Sequence, residues 1–84
     1  MLTLCYFASL RDVLGVDREA VELPEQVQTV SDLMVHLGNL RGDKWQSALA
    51  SKLICTAVNQ EICSSDKLIT PGDEVAFFPP VTGG

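Results

Sequence analysis

Along the first residues the chain alternates, with Leu2, Leu4 and Tyr6 on one side and Thr3, Cys5 and Phe7 on the other. A period of two marks a strand with one buried face, so residues 2–8 are predicted as β-strand. The period then changes in SLRDVLG, where Leu10, Val13 and Leu14 fall at i, i+3 and i+4. Ser9 is placed to cap this short helix, and Gly15 can supply a left-handed stop. Residues 19–23, EAVEL, form a second strand pattern that Pro24 keeps from continuing through a central ladder.

The strongest helix signal is TVSDLMVHL: Thr29 and Asp32 have the spacing of a capping box, and Val30, Leu33, Met34 and Leu37 make one apolar stripe. Gly38-Asn39 is the expected end. A further short turn is predicted from Asp43, with Trp45, Ala48 and Leu49 inside. Next, ICTAV and EIC flank Asn59-Gln60 as a hairpin, since Asn tolerates positive φ. Thr70-Pro71-Gly72-Asp73 carries Pro and Gly where a type II turn wants them and leads into a last strand, Glu74 to Phe78.

Strand, short helix, strand, long helix and three strands together predict an α+β roll, a mixed sheet of four or five strands packed on one main helix. The connection between first and last strands is long enough for a crossover, so the two can lie parallel and adjacent. That arrangement is a β-grasp. The domain is expected to occupy residues 1–80, with 81–84 as a C-terminal tail.

Eighty-four residues suit a single core, and 46% apolar with 20% charged residues is an ordinary globular composition. No apolar run approaches the ~20 residues of a membrane span, and the start lacks the positive region of a signal peptide, so a cytoplasmic chain is expected. Eleven acids against six bases give a net charge of −5, which disfavours a nucleic-acid partner. Cys5, Cys55 and Cys63 contain no CxxC pair, so no metal site is expected; they are read as free thiols acting as small apolar groups. His36 lies off the helical stripe, four residues from Asp32, and is read as an ordinary i, i+4 neighbour. Tyr6 and Trp45 are read as core aromatics.

Phe7 and Phe78 stand apart. If Leu2, Leu4 and Tyr6 face the helix, Phe7 faces away; if Val75 and Phe77 do, so does Phe78. On adjacent strands the two rings form an apolar patch on the open face of the sheet. Beyond them the chain ends FPPVTGG. Pro79 and Pro80 make a stiff extended spacer, and Val81 and Thr82 offer side chains for a groove. Gly83 and Gly84 lack Cβ, so a narrow channel can close on the backbone. A terminal carboxylate on such an arm can attack a nucleotide phosphate.

The whole chain resembles the small sulfur-carrier subunit of molybdopterin synthase, the MoaD type. The resemblance is carried by LCYFASLRDVLG, AVNQ, PGDEVAFFPPV and the terminal TGG. Gln60, where glycine would make a tighter hairpin, is a small departure. The resemblance implies a ubiquitin-like β-grasp and a carrier with no tightly bound cofactor. An E1-like enzyme of the MoeB type would consume ATP to adenylate Gly84, and a persulfide donor would convert the adenylate to a thiocarboxylate. The arm, Gly83 included, would then enter the large catalytic subunit of the synthase, where a cyclic pyranopterin receives the sulfur. Phe7, Phe78, Pro79, Pro80, Val81 and Thr82 would contact partners, and the chemistry would lie in the large subunit. Two other readings share parts of the pattern: a sulfur carrier for thiazole synthesis, and a ubiquitin-like interaction module with no need of a free terminus.

Overall fold

The computed structural model describes residues 1–50 and 54–79. Eight elements follow in order: β1 (Leu2–Tyr6), α1 (Ala8–Leu14), β2 (Arg18–Val21), α2 (Val30–Arg41), α3 (Asp43–Ala50), β3 (Cys55–Val58), β4 (Glu61–Cys63) and β5 (Glu74–Phe78). The five strands form one sheet in the order β2-β1-β5-β3-β4. Its centre is the parallel pair β1–β5, with Leu4 beside Val75 and Tyr6 beside Phe77; the other pairings are antiparallel. This is the β-grasp topology that the order of elements predicts.

All three helices share one core with one face of the sheet. Leu2, Leu4, Tyr6, Val75 and Phe77 meet Leu10 and Leu14 of α1, Leu33 and Leu37 of α2, and Trp45 and Leu49 of α3. Burial alternates in β5, with Val75 and Phe77 fully enclosed and the residues between them not. Within the α1 stripe Leu10 and Leu14 are buried but Val13 is exposed, because a helix this short turns only two of its apolar positions inward.

The start of α2 is capped from both directions. Thr29 Oγ1 accepts the Asp32 N–H at 3.1 Å, and the Asp32 carboxylate accepts the N–H of Gln28 and Thr29, completing the capping box. The next two donors, the N–H groups of Val30 and Ser31, reach the carbonyls of Lys67 and Ser65. The segment after β4 therefore closes orphan donors that a helix start otherwise leaves open. Asp32 spends its carboxylate on these caps, and among the described residues no ion pair joins it to His36.

The helix does not stop at Gly38-Asn39. It runs to Arg41, and Gly42 takes the positive φ of +96°. Gly38 is instead a packing notch: a Cβ there would stand 3.1 Å from the Gln46 Cα, so glycine is what lets α3 cross α2 closely. Ser9 does not cap α1 either. The helix begins at Ala8, itself at φ +54°, with Phe7 in the N-cap position and no side-chain cap. The first strand consequently ends at Tyr6, although Phe7 still donates its N–H to the Phe77 carbonyl at 3.1 Å. The second strand spans 18–21 and not 19–23, because its partner β1 begins at Leu2, opposite Val21.

Both predicted turns form. Asn59 and Gln60 take φ of +52° and +71°, the two positive angles of a type I′ hairpin. Gly72 takes +95°, and Asp73 N–H closes the turn on the Thr70 carbonyl at 3.1 Å. Asn59 joins the two: its amide donates to Asp73 Oδ1 at 3.0 Å and its carbonyl accepts the Glu74 N–H at 3.0 Å.

Three carboxylates are held below their ordinary range: Asp73 by the Asn59 amide and the Thr70 N–H, Asp32 by the Gln28 and Thr29 N–H groups, and Glu19 by Arg41. A depressed folded value means that the unfolded chain takes up protons first as pH falls. Their stabilisation is present above about pH 5 and is lost as pH drops below about 4. Urea unfolding at pH 7 and pH 3 should show this loss, and Asp73→Asn should lose less between the two pH values than the parent chain.

Candidate functional site

On the face turned away from the helices, register sets out the side chains in rows. One row reads Arg18, Cys5, Ala76, Ala57, Ile62 across all five strands, and the next contains Phe78 beside Cys55. The middle of this face is thus made of small residues, Cys5, Ala76 and Ala57, while larger apolar side chains stand around them. Ile62 is 78% exposed and Phe7 50%, whereas Phe78, Cys55 and Pro79 are half-buried. This face is therefore apolar across its middle, with Phe7 and Ile62 as its exposed large side chains.

Alternation therefore placed Phe7 and Phe78 on the correct side of the sheet. Tyr6 and Phe77, their immediate neighbours, are enclosed on the other side. Phe7 sits at the strand-to-helix corner, held by its bond to Phe77, and Phe78 closes the last rung of the ladder opposite Cys55. Ile62 was not singled out from sequence. The signal that could have found it is its place beside the hairpin: a residue two positions after Gln60 pairs with Ala57, and Ala57 pairs with Ala76 on the open face.

The patch has one charged margin. Arg18 lies 3.6 Å from the Glu74 carboxylate, and its guanidinium stands 3.9 Å from the Cys5 sulfur. Burial, with the nearby Glu74 carboxylate, pushes the Cys5 thiol above its ordinary range, so Cys5 stays protonated and unreactive at neutral pH. Among the described residues no group of three or more His, Cys, Asp or Glu side chains could hold a metal ion, and no helix is long and apolar enough to cross a membrane.

A cavity of about 500 Å³ lies on the opposite side, between α2, α3 and the β3–β4 hairpin. Met34, Leu49 and Ile54 contribute apolar lining, with Ser31 and Ser65 among its polar groups, and no charged side chain is among the described residues that line it. Among the described residues it brings no acid–base pair together. What remains is the apolar face and the chain end that leaves it at Pro79. Pro80, Val81, Thr82, Gly83 and Gly84 lie outside the described residues.

With that geometry in place, comparison with known proteins is decisive. A ThiS family profile matches residues 4–84. The chain belongs to the ThiS family. It is 43% identical to a molybdopterin synthase sulfur carrier subunit of Escherichia coli and 40% identical to that of Haemophilus influenzae, each over 84 residues and the whole of both chains. The fold is similar to the crystal structure of SAMP1 from Haloferax volcanii, with a TM-score of 0.72, 28% identity and coverage of 99% of this chain and 98% of that one. The resemblance carried by the opening strand, the hairpin and the terminal segment thus extends over the full length.

The division between the two faces can be checked without any partner. Phe77→Ala should cost about 3–5 kcal/mol of unfolding free energy, the range for a buried ring. Ile62→Thr should stay within about 0.5 kcal/mol of the parent, as for an exposed site without special contacts. Denaturant titrations of both variants measure the contrast, and equal costs would mean that the faces are misassigned.

Proposed function

We infer that this chain is a sulfur carrier of molybdenum cofactor biosynthesis, the small subunit that serves a molybdopterin synthase. The observation that carries the reading is full-length identity of 40–43% to two sulfur carrier subunits of that synthase, on a β-grasp fold with an apolar open face. A carrier needs a delivered group and a docking surface. The charge stabilisation and substrate binding belong to the proteins it visits.

The chemistry then follows from the C-terminus. In an E1-like enzyme the Gly84 carboxylate attacks the α-phosphate of ATP and pyrophosphate leaves, giving an acyl-adenylate. The outer sulfur of a persulfide attacks the acyl carbon and AMP leaves, giving an acyl disulfide. A thiol, the two-electron reductant, then attacks the donor's sulfur, forms a disulfide with it and releases the thiocarboxylate. In the large catalytic subunit, that sulfur passes to a cyclic pyranopterin, and two deliveries complete the dithiolene. Gly83 and Gly84 suit a channel too narrow for a Cβ. By residue type, the consecutive Pro79 and Pro80 favour an extended spacer between β5 and the two glycines.

Docking falls to the open face. Phe7, Phe78 and Ile62 are the large apolar groups available there, and the small residues between them leave a shallow surface for a partner's side chains. Net charge of −5 favours partners with basic rims. A thiazole-synthesis carrier would use the same terminal chemistry; the high full-length identity to the molybdopterin synthase subunits favours the first reading.

Two experiments address these assignments. Pyrophosphate exchange with a matched adenylating enzyme should disappear when Gly84 is removed or when one alanine is added after it. The Gly83→Val variant should fold and dock yet turn over about a hundredfold more slowly, the scale of a small misplacement at a reacting centre. Undiminished exchange without Gly84 would rule out its carboxylate as the activated group, and normal turnover of Gly83→Val would rule out a channel that needs glycine there. Separately, Phe7→Ala and Phe78→Ala should each weaken association with the large subunit by about 1–3 kcal/mol, as expected for aromatic anchors. Calorimetric titration provides the measurement, and unchanged affinity would remove the open face from the docking surface.

A further inference from the structure

On the helix side of the sheet, a chain of polar and aromatic contacts ends at Tyr6 and Phe77, the immediate neighbours of exposed Phe7 and half-buried Phe78. Arg41, in the last turn of α2, grips Glu19 of β2 with both arms of its guanidinium, at 2.6 and 2.7 Å. The same carboxylate accepts the Tyr6 hydroxyl at 2.9 Å. The Arg41 guanidinium carbon lies 4.4 Å from the centre of the Trp45 ring. Trp45 meets Tyr6 edge to face at 5.3 Å, and Tyr6 stacks on Phe77 at 5.7 Å and 18°. One guanidinium thereby joins α2, α3 and β2 to the paired ends of β1 and β5.

Those ends are where the docking residues begin. Phe7 follows Tyr6 and Phe78 follows Phe77, and the Phe7 N–H is tied to the Phe77 carbonyl. Successive side chains in a strand point to opposite faces of one backbone, so a shift of the inner rings displaces the outer ones. The side chains of Arg41 and Glu19 are only 26% and 20% exposed, and both approach the sheet from the helix side. A protein bound to the open face does not touch them.

We propose that Arg41 is a positioning residue for the docking face, holding Phe7 and Phe78 in place through Glu19, Trp45 and the Tyr6–Phe77 stack. The proposal rests on the reading of the open face as the docking surface. The planar fork of arginine is needed because it must satisfy both carboxylate oxygens while covering an indole face; lysine offers charge without either geometry.

The test is a double-mutant cycle on the affinity of the full chain for the purified large subunit, with circular dichroism to confirm folding. Arg41→Met should weaken binding about threefold to tenfold in the parent background, a typical coupling for residues linked through shared contacts. In the Phe7→Ala/Phe78→Ala background it should change affinity less than about twofold, since the rings it positions are gone. Arg41→Lys should fall between Arg41→Met and the parent, and it provides the same cycle if Arg41→Met does not fold. The same loss in both backgrounds, or no loss for a folded Arg41 variant in the parent, overturns the proposal while leaving the docking surface intact. If the double phenylalanine variant itself binds as tightly as the parent, the docking surface fails and the proposal fails with it.

Discussion

The parallel pairing of β1 with β5 is the constraint on which the rest of the molecule depends. It brings the two ends of the chain together at the centre of the sheet, so every other element belongs to the connection between them. Parallel neighbours cannot be joined by a tight turn. The intervening chain therefore has to cover one side of the pair with helices and add strands at both edges. Leu2, Leu4 and Tyr6 alongside Val75 and Phe77 give that covered side five enclosed side chains from two strands. The same pairing leaves Cys5 against Ala76 on the other side, small enough that the open face stays shallow.

Much of this was legible in the sequence because period and turn chemistry agree locally. The alternation in residues 2–6, the Thr29–Asp32 box, Asn59-Gln60 and Pro71-Gly72 all form what their residue types demand. The failures share one cause. Gly38 reads as a helix stop, yet its missing Cβ serves the approach of Gln46 from another helix. Ser9 reads as a cap, but Phe7 occupies that position because the preceding backbone is still bonded to Phe77. In each case a tertiary contact decided between two local meanings of the same residue.

The candidate site shows the same split. Parity alone placed Phe7 and Phe78 outward, since a one-residue slip would have buried them in place of Tyr6 and Phe77. Ile62 escaped notice because EIC is too short to show alternation, and only pairing with Ala57 assigns its face. Arg41 carried no motif at all. Its partner Glu19 is far away in sequence, and their bidentate contact exists only because α2 runs one turn past the expected stop. Residues that act through long-range contacts leave no local signature.

The open face and the core beneath it are thus two readings of the same strand ends, and this bears on how firmly the open face is set in the free protein. Association pays for the ordering of interface side chains, so a surface already fixed in the free protein binds with less loss. Here Phe7 and Phe78 are each one residue away from rings locked in a stack of Tyr6, Phe77 and Trp45. Rigidity of the face therefore costs no further residues; it is inherited from the core. The register that encloses Tyr6 and Phe77 is thus the same register that sets Ala76 and Phe78 on the open face.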